Sequence, residues 1–111
     1  PGQGTRLIQG QNWRPYQALN FVTPPFAEHI SGHSTFSASA AEVLKLFTGS
    51  DSFPNSAVVP VGSSLVEPGA VPAQPVTLSW PTFSAAADEA GISRLYGGIH
   101  FRLGDQEGRK L

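Results

Sequence analysis

Residues 31–49 read SGHSTFSASAAEVLKLFTG. Within them Phe36, Ala40, Val43, Leu44 and Phe47 recur at i, i+4, i+7, i+8 and i+11, which is one face of an α-helix. Ala38, Ala40 and Ala41 are strong helix formers. Ser31, Ser34 and Thr35 are all candidate N-caps, and Gly49 stands where a helix stops. The pattern predicts a helix over Ser34–Phe47, with a Ser-Gly-His tripeptide at its entrance.

Towards the C-terminus, Gly49–Pro81 is rich in Pro, Ser and Gly and is expected to be a long irregular excursion, of the kind that covers a site as a lid. Two runs inside it, Ala57–Val61 and Val76–Trp80, can pair as a short β-hairpin, although Pro60, Pro72, Pro75 and Pro81 argue against strands. A second helix is predicted over Thr82–Ala90, started by Pro81 or Thr82 and stopped by Gly91. A third should begin near Gly104–Asp105 and run through Arg109 to Leu111. On the other side, Pro1–Pro25 is broken by Gly2, Gly4, Gly10, Pro15, Pro24 and Pro25. It reads as an extended arm with one turn near Trp13–Ala18, whose aromatics Trp13, Tyr16 and Phe21 need a packing partner.

The 111 residues therefore read as one partial domain: an arm (1–25), the Ser-Gly-His segment and its helix (26–48), an excursion (49–81) and a helical end (82–111). The apolar faces are too few to enclose one another, so the remainder of a longer chain, or another subunit, is expected to complete the core. The absence of Met fits a processed or excised piece. Seven basic and eight acidic residues leave a net charge of −1, which argues against a nucleic-acid binder. With no Cys, disulfides and Cys-ligated metal sites are excluded. No apolar run approaches the length of a membrane span.

Two segments carry candidate chemistry. At Ser31-Gly32-His33, a small residue at a helix entrance lets backbone N–H groups converge, the helix end adds partial positive charge, and His33 adds a titratable donor. At Ser93-Arg94, with His100 six residues on and Gly97-Gly98 between, a guanidinium can grip an oxyanion and an imidazole can attack or ligate an electrophilic centre. Each segment alone has a plain structural reading: a capped helix with a surface histidine, and a capping arginine with a histidine packed near Tyr96 and Phe101. Together they make two halves of an anion pocket. A divalent-metal site from His29, His33 and His100 is a weaker alternative, because Gly32 interrupts the spacing and no carboxylate is placed to join.

Ser31-Gly32-His33 and Ser93-Arg94-Leu95-Tyr96-Gly97-Gly98-Ile99-His100 resemble, in order and internal spacing, the central and C-terminal motifs of the vanadium-dependent haloperoxidase and type-2 phosphatidic acid phosphatase superfamily. Ile30-Ser31-Gly32-His33-Ser34 before an Ala-rich helix, and Gly98-Ile99-His100-Phe101, look most like its bacterial haloperoxidase-like members. The resemblance covers roughly Phe26–Leu111. It implies a mainly α, helical-bundle fold, of which this chain is the C-terminal active-site part. It implies His100 as the axial ligand to the vanadium of vanadate, or as the nucleophile of a phosphatase. Ser31, Gly32 and Arg94 would hold the equatorial oxygens, and His33 would act as general acid–base. The implied cofactor is vanadate, with phosphate able to occupy the same pocket, and the implied partners are hydrogen peroxide, a halide and a small organic acceptor. A phosphomonoesterase and a non-catalytic oxyanion-binding fragment are the alternatives.

The sequence departs from the pattern in three places. Ile30 stands where the superfamily usually has Pro. Gly104 stands where the phosphatases often have Asp, with Asp105 one later, which favours the haloperoxidase side. The superfamily's first motif, Lys with six residues and then Arg-Pro, meets only Arg14-Pro15, with Leu7 at the lysine position, so that motif is expected upstream.

Overall fold

The computed structural model describes residues 5–21 and 23–111, so Gly2 and Gly4 of the expected arm lie outside the described residues. After a 3₁₀ turn at Gly10–Asn12, the elements run α1 (Gly32–Thr48), β1 (Ser52–Val59), β2 (Val76–Thr82), α2 (Phe83–Tyr96) and α3 (Arg102–Lys110). The fold is mainly α, a helical bundle with one small antiparallel sheet.

The helix read from residues 31–49 is present and two residues longer at its start. The Ser31 hydroxyl accepts from the Ser34 N–H as the N-cap, and Gly49 closes the helix at φ 69°. Helix α1 packs on α2 through the buried Ala41 and Ala87, whose small side chains let the backbones approach closely. Thr82 caps α2 as expected, its hydroxyl accepting from Ala85 N–H.

Gly91 does not stop that helix. Helix α2 continues through it to Tyr96. The glycine is there for space: a Cβ at position 91 would run into the Asp105 carboxylate and the Arg109 guanidinium of α3. Gly108 plays the same part where α3 crosses α1, since its Cβ would lie 2.8 Å from the Ser31 carbonyl oxygen. Helix α3 starts at Arg102, ahead of the expected Gly104, because a cap comes from outside the segment: Glu28 Oε1 accepts from Phe101 N–H at 2.9 Å. In the arm, the regular turn falls at Gly10–Asn12, just before the predicted Trp13–Ala18.

The excursion carries a longer hairpin than the sequence suggests. Strands β1 and β2 pair Asn55 with Trp80 through to Val59 with Val76, with an irregularity between Ser52 and Asn55. Pro54 lies in that irregular stretch and Pro81 lies opposite it. In a two-stranded ribbon both strands are edges, so neither proline breaks an inner ladder. The hairpin is fastened to α2 by Phe53 stacked on Phe83 (ring centroids 4.9 Å apart) and by Trp80 Nε1–H donating to Glu89 Oε2. Its tip returns to the arm, where the Tyr16 hydroxyl donates to Glu67 Oε2.

Little large apolar surface is enclosed. Phe36, Val43 and Phe47, the helical face read from the sequence, remain 77%, 63% and 86% exposed, and Leu46, Tyr96, Phe101 and Leu103 are also exposed. The periodicity marks a face that needs a partner, and none of the described elements covers it. Among the described residues, no helix is long and apolar enough to cross a membrane.

Candidate active site

The spacing of Arg94 and His100 follows from how α2 ends. Gly98 takes the left-handed conformation at φ 70°. Gly98 N–H donates to the Leu95 carbonyl (3.0 Å) and Ile99 N–H to the Arg94 carbonyl (3.0 Å), the paired closure of a Schellman motif. His100 N–H also points at the Arg94 carbonyl, at 3.4 Å. The turn therefore folds His100 back against the arginine that ends the helix, with only backbone groups holding the two together.

The His100 ring is 2% exposed and lies stacked near Phe26. Its Nδ1 is 2.9 Å from the Glu28 carbonyl oxygen and 3.3 Å from Glu28 Oε1. Both neighbours are acceptors, so Nδ1 carries a proton, and in the neutral ring the lone pair is therefore on Nε2. That is the tautomer a ligand or nucleophile needs, and a carbonyl partner of this kind fixes ring orientation at metal sites. Arg94 supplies the second sign of a site. Its Nε is buried and has no hydrogen-bond partner among the described residues. An orphaned buried donor is costly, and an oxyanion is the natural partner for a guanidinium.

The Ser-Gly-His segment is stitched to the same place. Ser31 N–H donates to the Gly104 carbonyl at 3.0 Å, while Glu28 caps α3 and pins His100. Both halves of the candidate pocket thus meet at the start of α3. His33 lies near enough to Arg94 to feel it: partial burial first, then the positive charge of Arg94, hold its imidazole below its ordinary pKa. It is therefore neutral at neutral pH and able to take a proton when negative charge arrives. With Ser34 N–H engaged by the cap, Gly32 N–H and His33 N–H are the amides left at the α1 N-terminus.

Ser31 sits differently from the role the motif suggests. It is fully buried, and its hydroxyl is turned inward, 2.9 Å from Ser34 Oγ, which in turn donates to Asp105 Oδ1 at 2.7 Å. Asp105 is gripped from Arg109 Nε (2.9 Å) and Nη2 (2.8 Å), and Arg109 Nη1 also reaches Asp88. Sequence reading missed this chain of groups, and Glu28 with it. The acid at 105 stood out only as a displaced motif position. Glu28, three residues before Ser31, had no signal beyond its closeness to the motif.

Arg14 stays on its own arm, where Nη1 donates to the Gln11 and Trp13 carbonyls at 3.0 and 2.8 Å. Its neighbours reach the site, however. Trp13 and Pro15 pack on Gly98, where a Cβ would approach them at 3.2 and 3.3 Å. A cleft of about 540 Å³ opens beside His100, walled by Trp13, Pro24, Phe26, Leu95, Ile99 and Phe101. His29 is exposed, and no group of three or more His, Asp or Glu side chains is arranged to hold a cation among the described residues.

Comparison with known proteins bears on the fold and the family. No curated protein matches the sequence. Among solved structures, the chain is similar to a holo-type bacterial vanadium-dependent chloroperoxidase, at 25% identity and a TM-score of 0.84 over 98% of this chain and 22% of that one. The apo-type bacterial enzyme matches at 25% identity and a TM-score of 0.72, over 75% of this chain and 18% of that one. A bacterial vanadium-dependent iodoperoxidase is 38% identical with a TM-score of 0.59, over 90% of this chain and 20% of that one. The chain thus spans about a fifth of each solved relative. All of residues 1–111 match the family model described as the VCPO second helical-bundle domain, and the chain belongs to that vanadium haloperoxidase-like family.

Proposed function

We propose that this chain carries the vanadate-holding residues of a haloperoxidase that oxidises halide with hydrogen peroxide. The observation that supports this most directly is the buried Arg94 Nε, without a partner among the described residues, beside a histidine whose Nδ1 is held by Glu28. Those residues suit a tetrahedral or five-coordinate oxyanion. When bound, vanadate supplies a Lewis-acidic centre that activates peroxide towards halide without changing oxidation state.

The protein residues act around it. His100 Nε2 is the ligand, held in one orientation by its Nδ1–H bond to Glu28. The Arg94 guanidinium and the Gly32 amide meet oxygens that carry negative charge, with donors already in position before the charge develops. The Ser31 hydroxyl joins them once its proton is released from Ser34. His33, neutral in the free site, would stand as the titratable group beside the bound anion, able to hold a proton at the oxygen that faces it. The apolar cleft beside His100 suits the small organic acceptor that the oxidised halogen attacks. The exposed face of α1 and the aromatics Tyr96 and Phe101 are covered in the intact protein by its remaining segments or by another subunit.

The test is bromide oxidation by peroxide in the intact protein, with and without added orthovanadate. Vanadate-dependent turnover is expected. Hydrolysis of a phosphate monoester that vanadate inhibits would assign phosphatase chemistry instead, and anion binding without either turnover would leave a non-catalytic oxyanion site. Arg94→Ala should weaken binding of vanadate or phosphate by about 1.5–3 kcal/mol, the scale of a charged hydrogen bond, as titration calorimetry would read it. Unchanged affinity would remove Arg94 from the site.

A further inference from the structure

Ser31 has one proton, and two acceptors compete for it. Asp105 is buried at 2% exposure and held by both Arg109 donors. Burial alone would raise its pKa, but the Arg109 and Ser34 hydrogen bonds outweigh that and keep the carboxyl below its ordinary range. It is therefore an ionised acceptor with nothing to donate. The single proton of Ser34 goes to it, across 2.7 Å. The 2.9 Å contact between Ser34 Oγ and Ser31 Oγ must then use the proton of Ser31. The Ser31 oxygen also accepts from Ser34 N–H as the α1 cap, so the oxygen itself stays in place and only its proton can be redirected.

We infer that Ser34 and Asp105 are positioning residues that hold the Ser31 proton inward, in competition with the oxyanion, so that the site gains its hydroxyl donor only by breaking the Ser31–Ser34 hydrogen bond. This rests on the oxyanion reading of the pocket and adds a cost to it. Arg94 and the α1 amides are free to donate at once, whereas Ser31 must first leave a satisfied buried network. The network also reaches across the fold. Ser34 is on α1, Asp105 and Arg109 on α3, and Asp88 on α2, so the donor state of the pocket is tied to how three helices pack.

The intact protein and inorganic phosphate test this, because phosphate probes the pocket without redox chemistry. Calorimetric affinities are needed for wild type, Ser34→Ala, Ser31→Ala, the Ser31→Ala/Ser34→Ala double variant and Arg94→Ala. Ser34→Ala keeps the helix and leaves Asp105 both Arg109 bonds, and Ser34→Cys, close in shape and a poor acceptor, is the second variant if Ala disturbs folding. Freeing the Ser31 proton should tighten phosphate binding by roughly three- to tenfold, the value of one neutral hydrogen bond. The gain should vanish in the double variant. A purely structural role for Ser34 predicts equal or weaker binding, and that result, in a protein where Arg94→Ala still loses affinity, overturns the inference and leaves the anion site standing. If Arg94→Ala binds phosphate as wild type does, the oxyanion reading fails and takes this inference with it.

Discussion

His100→Ala is expected to abolish vanadate-dependent halide oxidation while leaving the fold intact. The imidazole is the one group in the pocket with a lone pair directed by its own hydrogen bond, from Nδ1–H to the Glu28 carbonyl at 2.9 Å. His33 sits on α1 and has no hydrogen bond among the described residues to fix its ring, and His29 is exposed. Altering a group that holds a metal ligand in place costs roughly 10–100-fold, so loss of the proposed ligand itself should exceed that range. Steady-state bromide oxidation with saturating orthovanadate measures it in the intact protein. Activity within tenfold of wild type would show that His100 does not hold the cofactor. A smaller loss is expected for Glu28→Gln, which keeps the backbone carbonyl and removes only the charge near Nδ1.

The second large effect is on stability. Arg109→Ala should destabilise the protein by about 3–5 kcal/mol, because it strips both donors from a carboxylate that is almost fully buried. The sign of the accompanying pH dependence is fixed. Although burial raises the Asp105 pKa, the Arg109 and Ser34 bonds dominate, and the folded value lies below the unfolded one. The carboxylate's contribution is therefore complete above the unfolded pKa of roughly 3.9 and is lost as pH falls through the depressed folded value. Without Arg109, burial is opposed only by the Ser34 bond and the weaker pull of the Arg102 charge, so the folded pKa rises and the variant should recover part of its deficit on acidification. Urea denaturation of wild type and variant from neutral pH down to about pH 3 would show this. A deficit below about 1 kcal/mol at neutral pH would mean that Asp105 finds another partner.

Some of this architecture was legible residue by residue. Helix α1 announced itself by a 3.6-residue apolar period, an N-terminal serine and a closing Gly49, all local signals. The two site motifs were legible for the same reason, since a tripeptide at a helix entrance and an Arg-to-His spacing across a glycine turn are each set by a few adjacent residues. Other features depend on residues far apart in sequence. Gly91 reads as a stop in one dimension, and only the crossing of α3, with Asp105 and Arg109 beside it, shows that the glycine makes room for a neighbour. The start of α3 was misplaced because its cap, Glu28, lies 73 residues earlier. Pro81 argued against a strand by a rule that holds for inner strands, whereas this ribbon has only edges. The apolar face of Phe36, Val43 and Phe47 was read correctly as a surface wanting burial, but the partner that would cover it is not among the described elements.

The glycine turn after α2 has a consequence for how such a pocket can diverge. The Arg94 carbonyl receives Ile99 N–H and His100 N–H, so the separation of guanidinium and imidazole is written into main-chain geometry. Leu95 and Tyr96 can change identity without moving either group, provided the helix still ends on a left-handed residue at position 98. The pair behaves as a small cassette whose chemistry is decoupled from its filling. Substitutions at such positions can therefore re-line the cleft while the guanidinium and the imidazole stay in register.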